Sequence, residues 1–331
     1  MKSVGYRLAL VITLSVITLL LAPCIGMETI VPLSINNSPM QMEIFMQLRL
    51  PRVLIAFCAG AGLSLAGVVF QAMFRNPLAD PFTLGIASGA SCGAAFTVIM
   101  GLCGTIIGVS TVTLGAFAGS IVATLLLFGF TAWRRTTDKL TMLLAGVALS
   151  FLFSSLLMFF QYLSNVHDSF FIVRWLMGGV ETVGYGSLLS LILFEFMGIA
   201  IIFVSLPNLD HLLTGDDIAK SRGVDITSVR ISLLIATTLL IGSIVAVCGP
   251  IGFVGLIVPH FSRSLFSYRH TVAAPVSMVA GGTLLVWADT IARTIVAPTE
   301  IPVGVITALI GTPVFIWFLI HGNGKGNIHE L

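Results

Sequence analysis

Residues 231–248 read ISLLIATTLLIGSIVAVC, eighteen positions without a charged side chain. A helix of that length and composition is what a lipid bilayer demands, since about 17–25 apolar residues span its hydrocarbon. The stretch has neighbours of the same kind on both sides. Read outward from it, candidate spans fall at 8–26, 53–72, 82–102, 106–132, 141–162, 186–206, 231–248, 251–267, 272–292 and 302–320. The eighth is interrupted by Pro259, His260 and Arg263 and is the weakest. The 331 residues are 57% apolar and only 9% charged. A soluble domain carries about 25% charged residues, so most of this surface must face lipid. The expectation is an all-α integral membrane protein of about ten helices forming one transmembrane domain over 1–331.

Short connections with helix breakers separate the spans, as in Asn76-Pro77-Leu78-Ala79-Asp80-Pro81. Pro51 and Pro302 stand where a first helical turn tolerates proline. Alternating ten spans from a cytoplasmic N-terminus puts twelve of the sixteen Lys and Arg residues inside and leaves Arg49, Arg52, Arg174 and Arg293 outside. The positive-inside rule then places both termini in the cytoplasm. Lys2 and Arg7 before an apolar run resemble a signal peptide, but Pro23 directly before Cys24 argues against cleavage, so the first helix is expected to stay.

The net charge of +2 and the lack of a basic or aromatic stripe give no reason to expect nucleic acid. Cys24, Cys58, Cys92, Cys103 and Cys248 lack CxxC spacing and mostly lie in apolar runs, which suits small core residues. The six histidines are dispersed, so no metal site is expected. No GxxxxGK[ST] motif is present, and Gly322-Asn323-Gly324-Lys325-Gly326 lacks both its spacing and its hydroxyl. The chain is therefore expected to bind no cofactor itself and to draw energy from a partner's ATP or from an ion gradient. No serine–histidine–aspartate set or HExxH motif suggests an enzyme. Gly85, Gly89 and Gly93, with Gly115 and Gly119, follow GxxxG spacing, which lets helices approach closely in lipid, either within one subunit or at a dimer seam.

Several positions stand out chemically. The connection 207–230 holds a short apolar cluster, then Gly215, Asp216 as N-cap, Asp217 in a first turn, Lys220 and Arg222 near the end, and Gly223 at C′. This charge order complements a helix dipole and describes a short capped helix outside the bilayer. Outside, Arg49-Leu50-Pro51-Arg52 opens the second span, and Arg293 closes the ninth four residues after Asp289. An aspartate at that spacing can hold a guanidinium. Such arginines suit either a partner's carboxylates or lipid headgroups. Glu195 lies mid-span, where charge facing lipid costs about 2.5–3.5 kcal/mol on insertion scales. A structural hydrogen bond or a proton-carrying role would explain it. Pro313 removes the helical partner of the Leu309 carbonyl in the last span.

These residues resemble the permease family that imports ferric siderophores, haem and cobalamin through ABC transporters. The resemblance covers nearly the whole chain. It is carried by Arg49-Leu50-Pro51-Arg52, the stretch from Gln71 to Pro81, Leu84-Gly85-Ile86-Ala87-Ser88-Gly89-Ala90, the run Leu143–Leu149, and Trp175-Leu176-Met177-Gly178-Gly179. Gly249-Pro250-Ile251-Gly252-Phe253-Val254-Gly255 through His260, Ala288-Asp289-Thr290-Ile291-Ala292-Arg293, and the run from Gly311 to Trp317 complete it. It implies a homodimer with the pathway between copies, two cytoplasmic ATP-binding subunits and an extracytoplasmic substrate-binding protein, in the inner membrane. It implies that Arg49, Arg52 and Arg293 meet glutamates of the binding protein, on a docking surface that includes Asp289. It implies that Asp216, Asp217, Ile218, Ala219, Arg222 and Gly223 form the coupling helix facing the ATPase. Ala219 and Gly223 keep the family's alanine-x-x-x-glycine spacing, while Asp217 stands where glutamate is usual. An inner gate is implied near Thr136, Thr137, Lys139 and Leu140, although Lys139 and Leu140 replace the small polar residues of relatives. The functional expectation is a non-catalytic permease subunit translocating an iron chelate, a ferric siderophore first, with haem or cobalamin as further candidates. The alternative is an ion-gradient transporter with Glu195 as proton carrier.

Overall fold

The computed structural model describes residues 2–26, 39–102, 104–106, 109–133, 139–266 and 269–321. They form α1 (Lys2–Leu21), α2 (Pro39–Ile44), α3 (Leu50–Phe74), α4 (Ile86–Ile99), α5 (Thr111–Trp133), α6 (Lys139–Leu163) and α7 (Val166–Leu176). There follow α8 (Gly186–Thr214), α9 (Asp216–Ser221), α10 (Ile226–Cys248), α11 (Val254–Leu265), α12 (His270–Thr294) and α13 (Val303–His321). A two-stranded ribbon pairs Thr105–Ile106 with Val109–Ser110 between α4 and α5.

Each of the ten segments read from the sequence carries a helix, but among the described residues seven are long and apolar enough to cross a membrane. Helix α4 has 14 residues and α11 has 12. At 1.5 Å per residue these reach about 21 and 18 Å, short of a hydrocarbon core of about 30 Å. The apolar part of α13, Val303–Phe318, is also short. Helix α4 can be short because it is enclosed by protein, with Ile86, Ala87, Ala90, Ala94 and Val98 all buried.

The interruption expected at Pro259, His260 and Arg263 does not occur, since all three lie inside α11; the break falls earlier, between the seventh and eighth spans. Helix α10 stops at Cys248, and 249–253 runs non-helically before α11 begins. Irregular backbone at membrane depth must be paired within the protein. Gly179 N–H donates to the Cys248 carbonyl at 2.8 Å, and Gly304 N–H to the Gly178 carbonyl at 3.3 Å. Phe253, at φ +69°, turns the chain into α11 from the left-handed region.

Helix α3 is the axis of the bundle. It is buried from Ala59 to Phe74 and packs on α8, α10, α11 and most intimately on α12. The α3–α12 approach depends on Gly60 and Gly281, because a Cβ on either would strike the other's carbonyl. Four of the GxxxG glycines join α4 to α5 inside one chain, while Gly85 faces α6: a Cβ on Gly119 would strike the Gly89 carbonyl, and one on Gly93 the Gly115 carbonyl. The apolar faces of α1 and α6 lie outward, as lipid-facing helices must.

Two local readings need correction. Pro207 does not end the sixth span, since α8 continues to Thr214 with proline inside it. Leu209 and Leu212 are fully buried, and that packing outweighs the lost hydrogen bond. Pro51 stands in the first turn of α3 as read, but the helix before it was not expected. A helical path runs unbroken from Pro39 to Phe74 through a π-turn at Phe45–Arg49. The proline frees the carbonyl of Gln47, four residues earlier, and Gly184 N–H takes it at 2.8 Å. Amphipathic α7, between the fifth and sixth spans, has no counterpart in the sequence reading.

Candidate functional site

Among the described residues, contacts made by charged side chains gather at two ends of the bundle, and each group joins residues that the alternating topology puts on one side. At the outer end, the first turn of α3 and the last turns of α12 bring opposite charges together. Arg52 Nε donates to Asp289 Oδ1 and Oδ2 at 3.0 and 3.1 Å, and Nη2 to Oδ1 at 2.8 Å. The far side of the same guanidinium donates from Nη1 to Glu300 Oε2 at 2.8 Å and Oε1 at 3.1 Å. Asp289 is only 1% exposed, while Glu300 is 34% exposed on the loop before α13.

Arg293 completes the cluster from inside. Its Nε lies 3.8 Å from Asp289 Oδ2, an ion pair at the i,i+4 spacing read from the sequence. Its Nη2 donates to the Ala22 carbonyl at 2.7 Å. Arg49 reaches the same turn, donating from Nη1 to the carbonyls of Pro23 and Cys24, each at 3.3 Å. The four outer residues named from the sequence thus belong to one network, with the end of α1 at its centre. Glu300 was missed, because nothing in a loop glutamate 248 positions after Arg52 marks it as a partner. Arg293 is 5% exposed and turned inward, so its visible work is holding α1. Nearby, exposed Arg174 and Glu181 pair at 2.7 Å, and the carboxylate raises the arginine pKa further.

At the inner end, α9 follows α8 after a single residue. The expected N-cap was Asp216, but Gly215 takes that place with φ +125° and ψ 147°, and Ala219 N–H closes the first turn on the Gly215 carbonyl at 2.8 Å. A glycine accepts this conformation, which an aspartate side chain would resist. The exit is as expected. Gly223, at φ +83°, donates to Lys220 O at 2.9 Å, and Val224 donates to Ala219 O at 3.1 Å, the two bonds of a Schellman ending. Ala219 is fully buried while Ile218 is exposed, so α9 has an anchored face and an open one. Arg222 Nη1 lies 3.3 Å from His211 Nδ1.

Thr136 and Thr137, expected near an inner gate, lie outside the described residues; Lys139 begins α6, and Leu140 is exposed on it. Glu195 is buried in α8, and its Oε1 finds no hydrogen-bond partner among the described residues. It lies against Gly62 of α3, where a Cβ would come within 2.6 Å of that oxygen. An apolar cavity of about 400 Å³ opens between α1, α11, α12 and α13, with Phe253, Val258, Leu284 and Gly311 in its wall and no carboxylate.

The comparisons with known proteins agree over nearly the whole chain. The FecCD transport family matches residues 8–321. The vitamin B12 import system permease protein BtuC of Klebsiella pneumoniae is 37% identical over 316 residues, covering 95% of this chain and 93% of the relative. The molybdate import system permease protein MolB of Haemophilus influenzae is 36% identical over 299 residues, covering 90% and 86%. A solved metal-chelate type ABC transporter in an inward-facing conformation superposes with a TM-score of 0.85 at 32% identity, over 96% of this chain and all of that one.

Proposed function

The chain belongs to the FecCD transport family, and from that membership we propose that it moves an intact metal complex, a ferric siderophore first, with haem and cobalamin as the other candidates. It is a non-catalytic permease subunit of an ABC importer and a multi-pass protein of the inner membrane. ATP is hydrolysed on a separate subunit. Two copies of this chain enclose the pathway. A loaded binding protein docks outside on Arg49 and Arg52, with Arg293 and Asp289 holding that surface from behind. The segment from Asp216 to Gly223 meets the ATPase inside.

The observation that carries this reading is a length-wide family match joined to two distinct polar sites at opposite ends of the same helices. An importer driven from one face and loaded at the other needs that layout. The named cargoes of the relatives are vitamin B12 and molybdate, so molybdate belongs among the substrates to test. The ion-gradient alternative is not favoured, because the relatives are ABC transporter permeases.

The test is reconstitution of the chain with its co-purified ATPase and binding protein in liposomes. Uptake of ferric siderophore, haem, cobalamin and molybdate is measured with and without ATP. ATP-dependent uptake of a ferric siderophore supports the reading in full. Uptake of another cargo corrects the cargo alone, and uptake by the lone chain under a proton gradient overturns the reading.

A further inference from the structure

Helices α3 and α12 have 25 residues each, about 37 Å at 1.5 Å per residue, and lie antiparallel. At the outer end Arg52 and Asp289 join them, and midway Gly60 and Gly281 bring their backbones together. At the inner end both attach to one place, the last turns of α8. Arg75, the residue after α3, donates from Nε to the Leu212 carbonyl at 2.8 Å and from Nη2 to the same oxygen. His270, the first residue of α12, donates its backbone N–H to Asp210 Oδ1 at 3.0 Å, and its ring Nδ1 lies 2.6 Å from the same oxygen.

The chemistry of these contacts suits a latch. The last carbonyls of α8 have no helical partner and carry the negative end of its dipole, so a guanidinium on Leu212 answers both. A carboxylate at the start of α12 answers the opposite dipole and caps its first N–H. His270 is 1% exposed and Asp210 32%, so the imidazole side of the bond is shielded while the carboxylate keeps a face to solvent. Between the two lies His211, which meets Arg222 beyond the end of α9. Three consecutive residues, Asp210, His211 and Leu212, thus tie α12, the exit of α9 and α3 to the segment that enters α9 through Gly215.

We propose that Arg75, Asp210 and His270 are positioning residues that fix α9 against the paired α3 and α12, so that a shift at the outer arginine cluster reaches α9 as movement of one body. This rests on the reading of α9 as the ATPase contact. The consequence is a separation of effects. Loosening the latch weakens the response of hydrolysis to the loaded binding protein without removing docking, assembly or basal hydrolysis.

The experiment uses the full transporter in liposomes and measures basal hydrolysis, stimulated hydrolysis and recovery of the ATPase subunits with the permease. His270→Ala removes the ring contact but leaves Asp210 to cap the backbone N–H. Coupling energies between sites correspond to about 5-fold effects or more, so stimulation should fall by about 5-fold or more in His270→Ala and in Arg75→Gln. His270→Asn should restore it, because the asparagine amide nitrogen sits where Nδ1 was. His270→Gln, of similar polarity but with its amide one carbon further out, should not. If His270→Ala cannot be recovered from membranes, the asparagine–glutamine contrast decides alone. Full stimulation in both His270→Gln and Arg75→Gln overturns the proposal, as does equal loss in His270→Asn and His270→Gln. Ile218→Glu, on the open face of α9, tests the underlying reading separately. If it leaves ATPase recovery and stimulation intact, α9 is not the ATPase contact and both fall. If it disrupts them while the latch variants do not, only the latch is wrong.

Discussion

Arg52 spans the Asp289 carboxylate with one edge of its guanidinium, Nε and Nη2 both donating at 2.8–3.1 Å, and gives its other edge to Glu300. One arginine therefore joins the start of α3, the end of α12 and the loop that enters α13. The bidentate geometry fixes direction as well as distance, which a lysine could not do.

Breaking that pair should cost stability before it costs transport. Removing one partner of a buried ion pair leaves an uncompensated charge, a loss of about 3–5 kcal/mol. Arg52→Ala and Asp289→Ala should each lower the unfolding temperature in detergent and the yield of inserted protein. The double variant Arg52→Met with Asp289→Leu should lose less than the sum of the two single losses, because neither Arg52 nor Asp289 is left facing an empty partner, while Glu300 and Arg293 still lose theirs. A loss equal to that sum or greater would show that the two do not act as one structural tie.

Glu300 occupies the edge of Arg52 that a partner carboxylate would need. Its 34% exposure makes it the easiest member of the cluster to displace. Glu300→Gln should therefore tighten docking of the binding protein, by about 2–5-fold if an exposed charge contact is worth roughly 0.5–1 kcal/mol. The gain should shrink with salt, since contacts of this kind are screened. Surface-bound permease in lipid discs, titrated with binding protein at two ionic strengths, checks both. Weaker docking in Glu300→Gln would mean that the glutamate orients Arg52 for the partner instead of competing with it.

The membrane fold was legible because composition and period carry it: a span such as 231–248 is readable from eighteen residues. The outer cluster was legible in part. Asp289 and Arg293 share a helix face at a readable spacing, whereas Glu300 meets Arg52 only through tertiary packing. The latch at Asp210, Leu212, Arg75 and His270 was invisible, because Pro207 suggests that the helix has already ended. What keeps α8 helical beyond it is the burial of Leu209 and Leu212 against other helices, which no local pattern states. Gly215 shows the same limit. An aspartate after a glycine looks like a cap until the backbone reveals the glycine in that position.

The seam between α4 and α5 should tolerate nothing larger than glycine. Gly119→Val places carbons on the Gly89 carbonyl, and the two helices can only respond by separating. Overpacking costs about 1–3 kcal/mol or more, and folded yield should drop accordingly. Gly129→Ala lies on the same helix with nothing within 4 Å of its Cβ. It should be neutral or stabilising by about 0.5–1 kcal/mol through helix propensity. Thermal unfolding of the two purified variants checks the contrast, and a tolerated Gly119→Val would mean that the seam is looser than its backbone approach indicates.

Glu195 is expected to be structural. It is buried on α8 and packs directly against Gly62 of α3. Glutamine keeps the shape and hydrogen-bonding capacity without a charge, so Glu195→Gln should retain uptake to within about two-fold. Gly62→Leu should be far worse, because the new side chain meets both Glu195 and Ile244. Abolished uptake in a well-folded Glu195→Gln protein would reinstate a proton-carrying role.

The last expectation concerns the exit from α9. Gly223 sits at φ +83° with nothing within 4 Å of its Cβ position, so space does not limit what can replace it; backbone conformation does. A β-branched residue there costs about 1–3 kcal/mol of strain, more than a six-residue helix held by a few bonds can absorb. Gly223→Val should therefore undo the Schellman ending and displace Arg222 from His211, while the outer cluster at the far end of the bundle stays formed. In the reconstituted transporter, docking of the binding protein should be unchanged and its stimulation of hydrolysis largely lost. Gly223→Asn should recover much of that stimulation, because asparagine enters the left-handed region more readily than valine. The arginine variant Arg49→Ala with Arg52→Ala should do the reverse, leaving basal hydrolysis and weakening docking in a salt-dependent way. Recovery of the ATPase subunits with each permease variant separates these effects from misfolding. If Gly223→Val kept full stimulated hydrolysis and uptake, the shape of the α9 exit would have no part in coupling, and the inner half of the proposed mechanism would have to move elsewhere on the cytoplasmic face.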